Sequence, residues 1–64
     1  MNIKFDKETD IIYLKFSDKD VFQSDEDKPG VIIDYDKEGN IIGIEILDAS
    51  KKTINPSTIV YEVA

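Results

Sequence analysis

The stretch VIIDYDKEGNIIGIEIL at residues 31–47 constrains the fold more than any other part of this chain. Two runs rich in β-branched residues, VIIDY and IIGIEIL, flank a short polar connection that contains Gly39. β-Branched side chains favour extended backbone. A glycine at the end of a short connection readily takes the left-handed conformation that closes a hairpin with a bulge. The stretch therefore predicts an antiparallel hairpin, closed by a pair between Asp36 and Asn40.

The register of this hairpin follows from its turn. Counting outwards along both strands, the expected pairs are Asp34 with Ile42, Ile33 with Gly43, Ile32 with Ile44, and Val31 with Glu45. Side chains alternate between the two faces of a strand. Asp34 is therefore expected on the face that carries Ile42 and Ile44, with Gly43 and Glu45 on the opposite face.

The rest of the chain also shows alternation rather than a helical period. Residues 3–16, IKFDKETDIIYLKF, predict a first hairpin, and residues 21–24 predict a short strand. The run DEDKPG at residues 25–30 predicts a loop or a sheet edge, because proline cannot donate a hydrogen bond to a central strand. These elements indicate a mostly β fold, a single antiparallel meander of about five or six strands.

The last part of the chain has a weaker pattern. DASKKT predicts a loop or a single helical turn, and Asn55-Pro56 is typical of the start of another turn. Residues 58–63, TIVYEV, alternate again and predict a final strand. The whole sequence, residues 1–64, is expected to form one domain.

The composition excludes several kinds of site. The 64 residues include no cysteine and no histidine, which removes disulfides, thiol chemistry and the usual zinc ligands. A chain of this length buries only about 60% of the surface that it exposes when unfolded, so small domains often gain stability by association. We therefore expect a homodimer and no cofactor.

The charge balance indicates the type of partner. The chain has fourteen acidic residues and eight basic ones, all lysine, which gives a net charge of −6. Such a surface repels nucleic acids and anionic membranes and attracts a basic protein. MNIKFDKETD at the N-terminus is unlike a signal peptide, and no run approaches the ~20 apolar residues of a membrane span. The expected location is cytoplasmic.

The segment DYDKEGNIIGIE, residues 34–45, resembles an EF-hand calcium loop. Asp34, Asp36, Glu38, Gly39 and Glu45 occupy five of its defining places, although Glu38 stands where Asp or Asn is usual. Two helices must bracket such a loop, whereas both flanks here favour strands. The expected register also directs Asp34 and Glu45 to opposite faces. A hairpin is the favoured interpretation, and weak cation binding by Asp34, Asp36 and Glu38 is a lesser alternative.

Catalysis is not expected from this sequence. Four serines have no histidine to activate them, and the three glycines match no phosphate-binding loop. Asp34 and Asp36 share a face of the hairpin, as paired catalytic carboxylates must. Asp34 is expected to cap the turn by accepting N–H bonds near Gly39; the functional alternative is a carboxylate of raised pKa in a shallow pocket.

The acidic run Asp25, Glu26 and Asp27 has two interpretations. Charged runs are most often solvated loops. An acidic run can also meet a basic partner, where charge speeds encounter and selects the partner. These three residues are the candidate partner-binding residues.

The stretches FDKETDIIYLKF and PGVIIDYDKEGNIIGIEILDAS resemble a small prokaryotic family, domain-of-unknown-function family 2283 (DUF2283). The resemblance covers residues 3–52. The family hairpin motif corresponds here to Asp34, Tyr35, Asp36, Gly39, Ile41, Gly43, Ile44, Glu45, Ile46, Ala49 and Ser50. The resemblance implies a compact β-rich domain and supplies no catalytic or binding residues. Some members of the family are thought to act as antitoxins, because they are paired with small toxin-like proteins.

These observations favour a non-catalytic protein-binding module, of which an antitoxin-like inhibitor of a small basic partner is one form. The alternative is a self-associating structural or accessory domain.

Overall fold

The structure is a computed structural model that describes residues 1–52 of the 64-residue chain. The predicted helical turn at Asn55-Pro56 and the predicted strand at 58–63 lie outside the described residues. Five strands and one short helix occur within them: β1 (Asn2–Asp6), β2 (Ile11–Lys15), β3 (Gln23–Lys28), β4 (Val31–Tyr35), β5 (Ile41–Ile46) and α1 (Ala49–Lys52). The predicted mostly β, antiparallel fold is confirmed.

The five strands form one sheet in the order β1-β2-β5-β4-β3. Two meandering parts, β1-β2 and β3-β4-β5, are joined by the pairing of β2 with β5. Residues 16–22 connect β2 to the far edge of the sheet. This connection spans three strand spacings, about 14 Å, which seven residues reach easily. It therefore runs along the end of the sheet that holds the β4–β5 turn.

The acidic run lies in a strand rather than a loop. The predicted strand at residues 21–24 is wrong in its boundaries, because β3 begins at Gln23 and continues to Lys28. Of the two alternatives for residues 25–30, a loop or a sheet edge, the sheet edge is confirmed for 25–28. Pro29 follows in the turn, where its missing N–H costs nothing. An edge strand pairs on one side only and leaves its side chains in water, so acidic residues are tolerated there.

The β4–β5 hairpin has the predicted turn but not the predicted register. Gly39 has φ of 85°, and the Asp36 amide donates to the Asn40 carbonyl oxygen at 3.0 Å. A bulge then intervenes between Asp34 and Tyr35. Tyr35 pairs with Ile41 and Asp34 with Gly43, so the predicted pair of Asp34 with Ile42 is wrong.

This bulge moves the rest of β4 by one residue relative to β5. The remaining observed pairs are Ile33 with Ile44, Ile32 with Glu45, and Val31 with Ile46. A slip of one residue transfers every side chain of a strand to the opposite face relative to its partner. Asp34 therefore shares a face with Gly43 and Glu45, where the sequence predicted the face of Ile42 and Ile44.

The register divides the sheet into an apolar and a polar face. Directly paired residues share a face, and the apolar face carries Ile3, Phe5, Ile12, Leu14, Val31, Ile33, Ile44 and Ile46. The more polar face carries Lys4, Tyr13, Lys15, Asp34, Gly43 and Glu45, together with Ile11 and Ile32. Among residues 1–52 the buried apolar side chains are Ile12, Ile42 and Ala49. The core of this small sheet is thin, as expected for its length.

Helix α1 confirms the helical-turn alternative for DASKKT. Asp10, which has φ of 58°, accepts the Ala49 amide on its carbonyl oxygen at 2.9 Å. Its carboxylate accepts the Ser50 amide at 3.0 Å and the Ser50 hydroxyl at 2.7 Å. The β1–β2 turn therefore anchors the first turn of the helix across forty residues of sequence.

Candidate functional site

Asp36 is the buried carboxylate of the β4–β5 turn. Its side chain is 4% exposed. One oxygen, Oδ1, accepts the amides of Glu38 and Asn40 at 3.0 and 2.9 Å. The other, Oδ2, accepts the Asn40 side-chain amide at 3.2 Å and lies 3.7 Å from the Lys19 ammonium. Asp36 therefore closes the turn, the role that the sequence assigned to Asp34.

The surroundings of Asp36 favour its charged form. Burial by itself raises the pKa of this carboxyl group, because it removes water from the charge. The hydrogen bonds from Asn40 and Glu38, together with the charge of Lys19, act in the opposite direction and leave the pKa below its ordinary value. Asp36 is thus ionised and occupied by donors, as expected of a structural carboxylate.

Asp34 lies on the polar face, two residues from the turn. Its Oδ1 accepts the Ser24 hydroxyl of β3 at 2.6 Å. The expected capping role near Gly39 is wrong, because the bulge rotates Asp34 away from the turn. Asp34 and Glu45 share one face, so the argument that they point apart is also wrong. Even so, residues 1–52 contain no group of three or more acidic side chains placed to hold a metal ion.

The acidic run of β3 does not form one acidic face. Asp25 pairs opposite Ile33 and Glu26 opposite Ile32, so these two side chains alternate between the faces of the sheet. Asp25 accepts the Gln23 side-chain amide at 3.1 Å, and Glu26 accepts the Gly30 amide at 2.9 Å, which holds the β3–β4 turn. Asp27 lies at a bulge between Glu26 and Lys28. The run presents an acidic edge, every residue of which is exposed.

A cleft of about 390 Å³ opens on the polar face above Gly43. Its walls include Tyr13 and Lys15 from β2, and Asp34 and Glu45 from the hairpin. Residues of the β2–β3 connection close one side. Asp34 and the Leu14 carbonyl group approach the backbone of Gly43 closely: a Cβ there would lie 3.3 Å from Asp34 Oδ2 and 3.2 Å from the Leu14 carbonyl oxygen.

The sequence identified only part of this cleft. Asp34, Gly43 and Glu45 stood out through the hairpin motif, whereas Tyr13 and Lys15 did not. Tyr13 pairs with Glu45 and Lys15 with Gly43. This pairing joins strands about thirty residues apart in the sequence. The alternation within β2 predicts which of its residues share a face, but not which strand lies beside it.

Together these features define a small protein built on one antiparallel sheet, with an acidic edge strand and a mixed-charge cleft on its polar face. In the part of the chain that the structure describes, no helix is long and apolar enough to span a bilayer. The family profile described as "Protein of unknown function (DUF2283)" matches residues 2–50 of the 64. The chain therefore belongs to the DUF2283 family, as the sequence motif predicted. Comparison with curated proteins and with solved structures gives no match.

Proposed function

We propose that this protein is a non-catalytic binding module that recognises a basic segment of another protein along the edge of β3. The observation that carries the proposal is the exposure of all six residues of this strand at an edge of the sheet. Within residues 1–52, β3 pairs only with β4. Its outer side therefore offers backbone donors and acceptors to which an extended segment can add as a further strand.

Charge supports a basic partner for this edge. The sequence QSDEDK of β3 carries three carboxylates and one lysine, within a chain of net charge −6. Two copies of such an edge repel one another, which disfavours pairing of β3 with itself. A segment rich in lysine or arginine meets complementary charge on both faces of the strand, and this increases both association rate and selectivity. An antitoxin-like inhibitor of a small basic protein is the form of this function that we favour.

The test begins with capture of proteins from the native host's lysate by a tagged chain at low salt. The captured protein is then purified, and its Kd for the chain is measured by calorimetry at increasing salt. The test variant is Asp25→Asn/Glu26→Gln/Asp27→Asn, in which the side chain at position 26 keeps an oxygen that can accept the Gly30 amide. The control variant is Glu8→Gln/Glu38→Gln/Asp48→Asn, which removes the same three charges from exposed positions elsewhere.

We expect the β3 variant to weaken binding about tenfold or more, and salt to weaken binding of the wild-type chain. The control variant is expected to bind nearly as well as the wild type. Equal affinities for the two variants, or a Kd independent of salt, would contradict the proposal.

Self-association is the second candidate, and exposed apolar side chains favour it. Phe16, Val21, Phe22 and Ile41 are 45–64% exposed. They gather at one end of the sheet, where the Phe16 amide donates to Ile42 and the Phe22 amide to Tyr35. Light scattering across a dilution series should then show a homodimer that persists at high salt, and Phe22→Ser should dissociate it. A wild-type chain that remains monomeric at all concentrations would exclude this candidate.

Cation binding at the hairpin has less support. Both oxygens of Asp36 already accept hydrogen bonds, and Glu38 is exposed. A calcium site would raise the melting temperature with calcium concentration by mass action. We expect no such rise at millimolar calcium.

A further inference from the structure

The cleft above Gly43 contains carboxylate oxygens that are available to a ligand. Glu45 is half-buried, and its carboxylate has no hydrogen bond or ion pair with any residue in 1–52. Asp34 uses Oδ1 to accept the Ser24 hydroxyl. Its Oδ2 faces the bare backbone of Gly43 and has no donor among the described residues. Two acceptor groups therefore point at one cleft from neighbouring strands.

The cations near the cleft are already paired. The Lys15 ammonium lies 3.3 Å from Asp18, and the Lys19 ammonium lies 3.7 Å from Asp36. Four acidic residues and two lysines line the cleft, so its excess charge is negative. A cationic ligand would find complementary charge in this cleft. An anionic ligand would be repelled.

The shape and lining of the cleft select the type of cation. Asp34 and Glu45 are diagonal neighbours in the sheet, about 7–8 Å apart, which leaves room for one ammonium or guanidinium group between them. Calcium takes six to eight oxygen ligands, many more than these two side chains supply. Tyr13 stands directly opposite Glu45 and offers an aromatic ring to a cation. Val21 and Ile42 add apolar contacts for a carbon chain.

We propose that the Gly43 cleft binds an organic cation, an ammonium or guanidinium group on a short apolar stem, with Asp34 and Glu45 as its counter-charges. Such a group comes from two sources: a free amine, or a lysine or arginine side chain presented by another protein. The inference does not depend on the acidic run of the β3 edge, since none of Asp25, Glu26 and Asp27 lines the cleft.

The experiment is a titration followed by amide NMR spectra of the isotope-labelled full-length chain. The probes are n-butylammonium and n-butylguanidinium, with n-butanol as the neutral probe of similar shape. The test variants are Glu45→Gln and Asp34→Asn. The matched control is Asp27→Asn, which removes one charge from an exposed residue that does not line the cleft.

We expect saturable shifts of the Asp34, Gly43 and Glu45 amides with both cations and none with n-butanol. Each test variant should weaken binding about tenfold or more, because each removes a charge-assisted hydrogen bond. Asp27→Asn should change the Kd by less than about twofold. No saturable shift at high millimolar cation, equal binding of n-butanol, or an equal loss with Asp27→Asn would each overturn the proposal.

Two further probes separate the sources of the cation. Tighter binding of spermidine than of the peptide Gly-Lys-Gly supports a free amine as the ligand, and the reverse order supports a protein side chain. The Glu45→Gln variant retains all three acidic residues of the edge strand. Two failures are therefore distinguishable. In one, the cleft binds no cation while the β3 edge still binds its partner; in the other, the cleft binds the cation and the β3 edge binds no partner.

Discussion

At the residue scale, Asp36 shows how one buried carboxylate closes a tight turn. It accepts three hydrogen bonds from Glu38 and Asn40 and lies beside Lys19. Gly39 completes the same turn with φ of 85°, a conformation that side chains with a Cβ rarely adopt. The two residues act together, because the reversal of the chain at Gly39 brings the Asn40 amide to the Asp36 carboxylate.

Replacing Asp36 with Asn should lower the melting temperature at neutral pH, because the charged acceptor is lost. The pKa of Asp36 is lowered on folding, so its ionised form stabilises the fold above the ordinary carboxyl pKa of 3.8. That stabilisation is lost as pH falls through the folded pKa. Thermal melts should therefore show a gap between wild type and Asp36→Asn at neutral pH that narrows below about pH 3.8. A gap that stays constant with pH, or an equal effect of Asp27→Asn, would contradict this role.

The two hairpin glycines should respond differently to substitution. At Gly39 a Cβ meets nothing within 4 Å, so Gly39→Ala carries only the backbone strain of positive φ, about 1–2 kcal/mol. Gly39→Asn should cost less, since Asn tolerates this conformation. At Gly43 a Cβ presses on Asp34 and on the Leu14 carbonyl oxygen, and Gly43→Ala should cost about 1–3 kcal/mol. Urea unfolding measures the loss of folding free energy in all three variants. Equal losses for Ala and Asn at position 39 would rule out backbone strain as the cause.

At the element scale, the bulge in β5 determines which side chains meet. Ile42 is the extra residue, and its carbonyl oxygen accepts the amides of Phe16 at 2.8 Å and Ser17 at 3.4 Å. The bulge thus holds the start of the β2–β3 connection as well as placing Asp34 beside Gly43. One local irregularity positions both the floor and one wall of the cleft.

The side chain of Asp10 helps to hold the first turn of helix α1. Asp10→Gly should remove the two hydrogen bonds to Ser50 while the sheet stays intact, because Gly tolerates the positive φ of this position. Hydrogen exchange followed by mass spectrometry should then show faster exchange in residues 49–52 and unchanged protection in β2 and β5. Asp27→Ala serves as the control for loss of a carboxylate. Loss of protection from hydrogen exchange throughout the sheet would instead show that Asp10 stabilises the whole sheet and not the helix alone.

At the scale of the whole molecule, a thin core coexists with a large excess of negative charge. The net charge of −6 on a chain of 64 residues causes repulsion in the folded state. Salt screens the repulsion between exposed charges that lie farther apart than a Debye length, which is about 10 Å at 0.1 M. We therefore expect the melting temperature to rise as sodium chloride is added at neutral pH. A fall would mean that favourable ion pairs such as Lys19–Asp36 outweigh the repulsion.

The sequence by itself determined the strand content, the position of the β4–β5 turn and the family. Alternation within a strand and the glycine of a turn are properties of a few adjacent residues, so they can be read without knowledge of the fold. The helical turn at Ala49–Lys52 was one of two alternatives that the sequence left open, the other being a loop. For residues 25–28 the sequence left a loop and a sheet edge as alternatives, because the pairing that stabilises the edge strand comes from β4.

Only the tertiary structure decided which residues face the cleft. The bulge at Ile42 is stabilised by amides of the β2–β3 connection, and no pattern within the hairpin reveals that contact. Because one inserted residue reverses the faces of a strand, this contact moved Asp34 from the apolar face to the polar face and brought it together with Tyr13 and Glu45. Long-range hydrogen bonds thus decide the register, and the register decides the chemistry of the cleft.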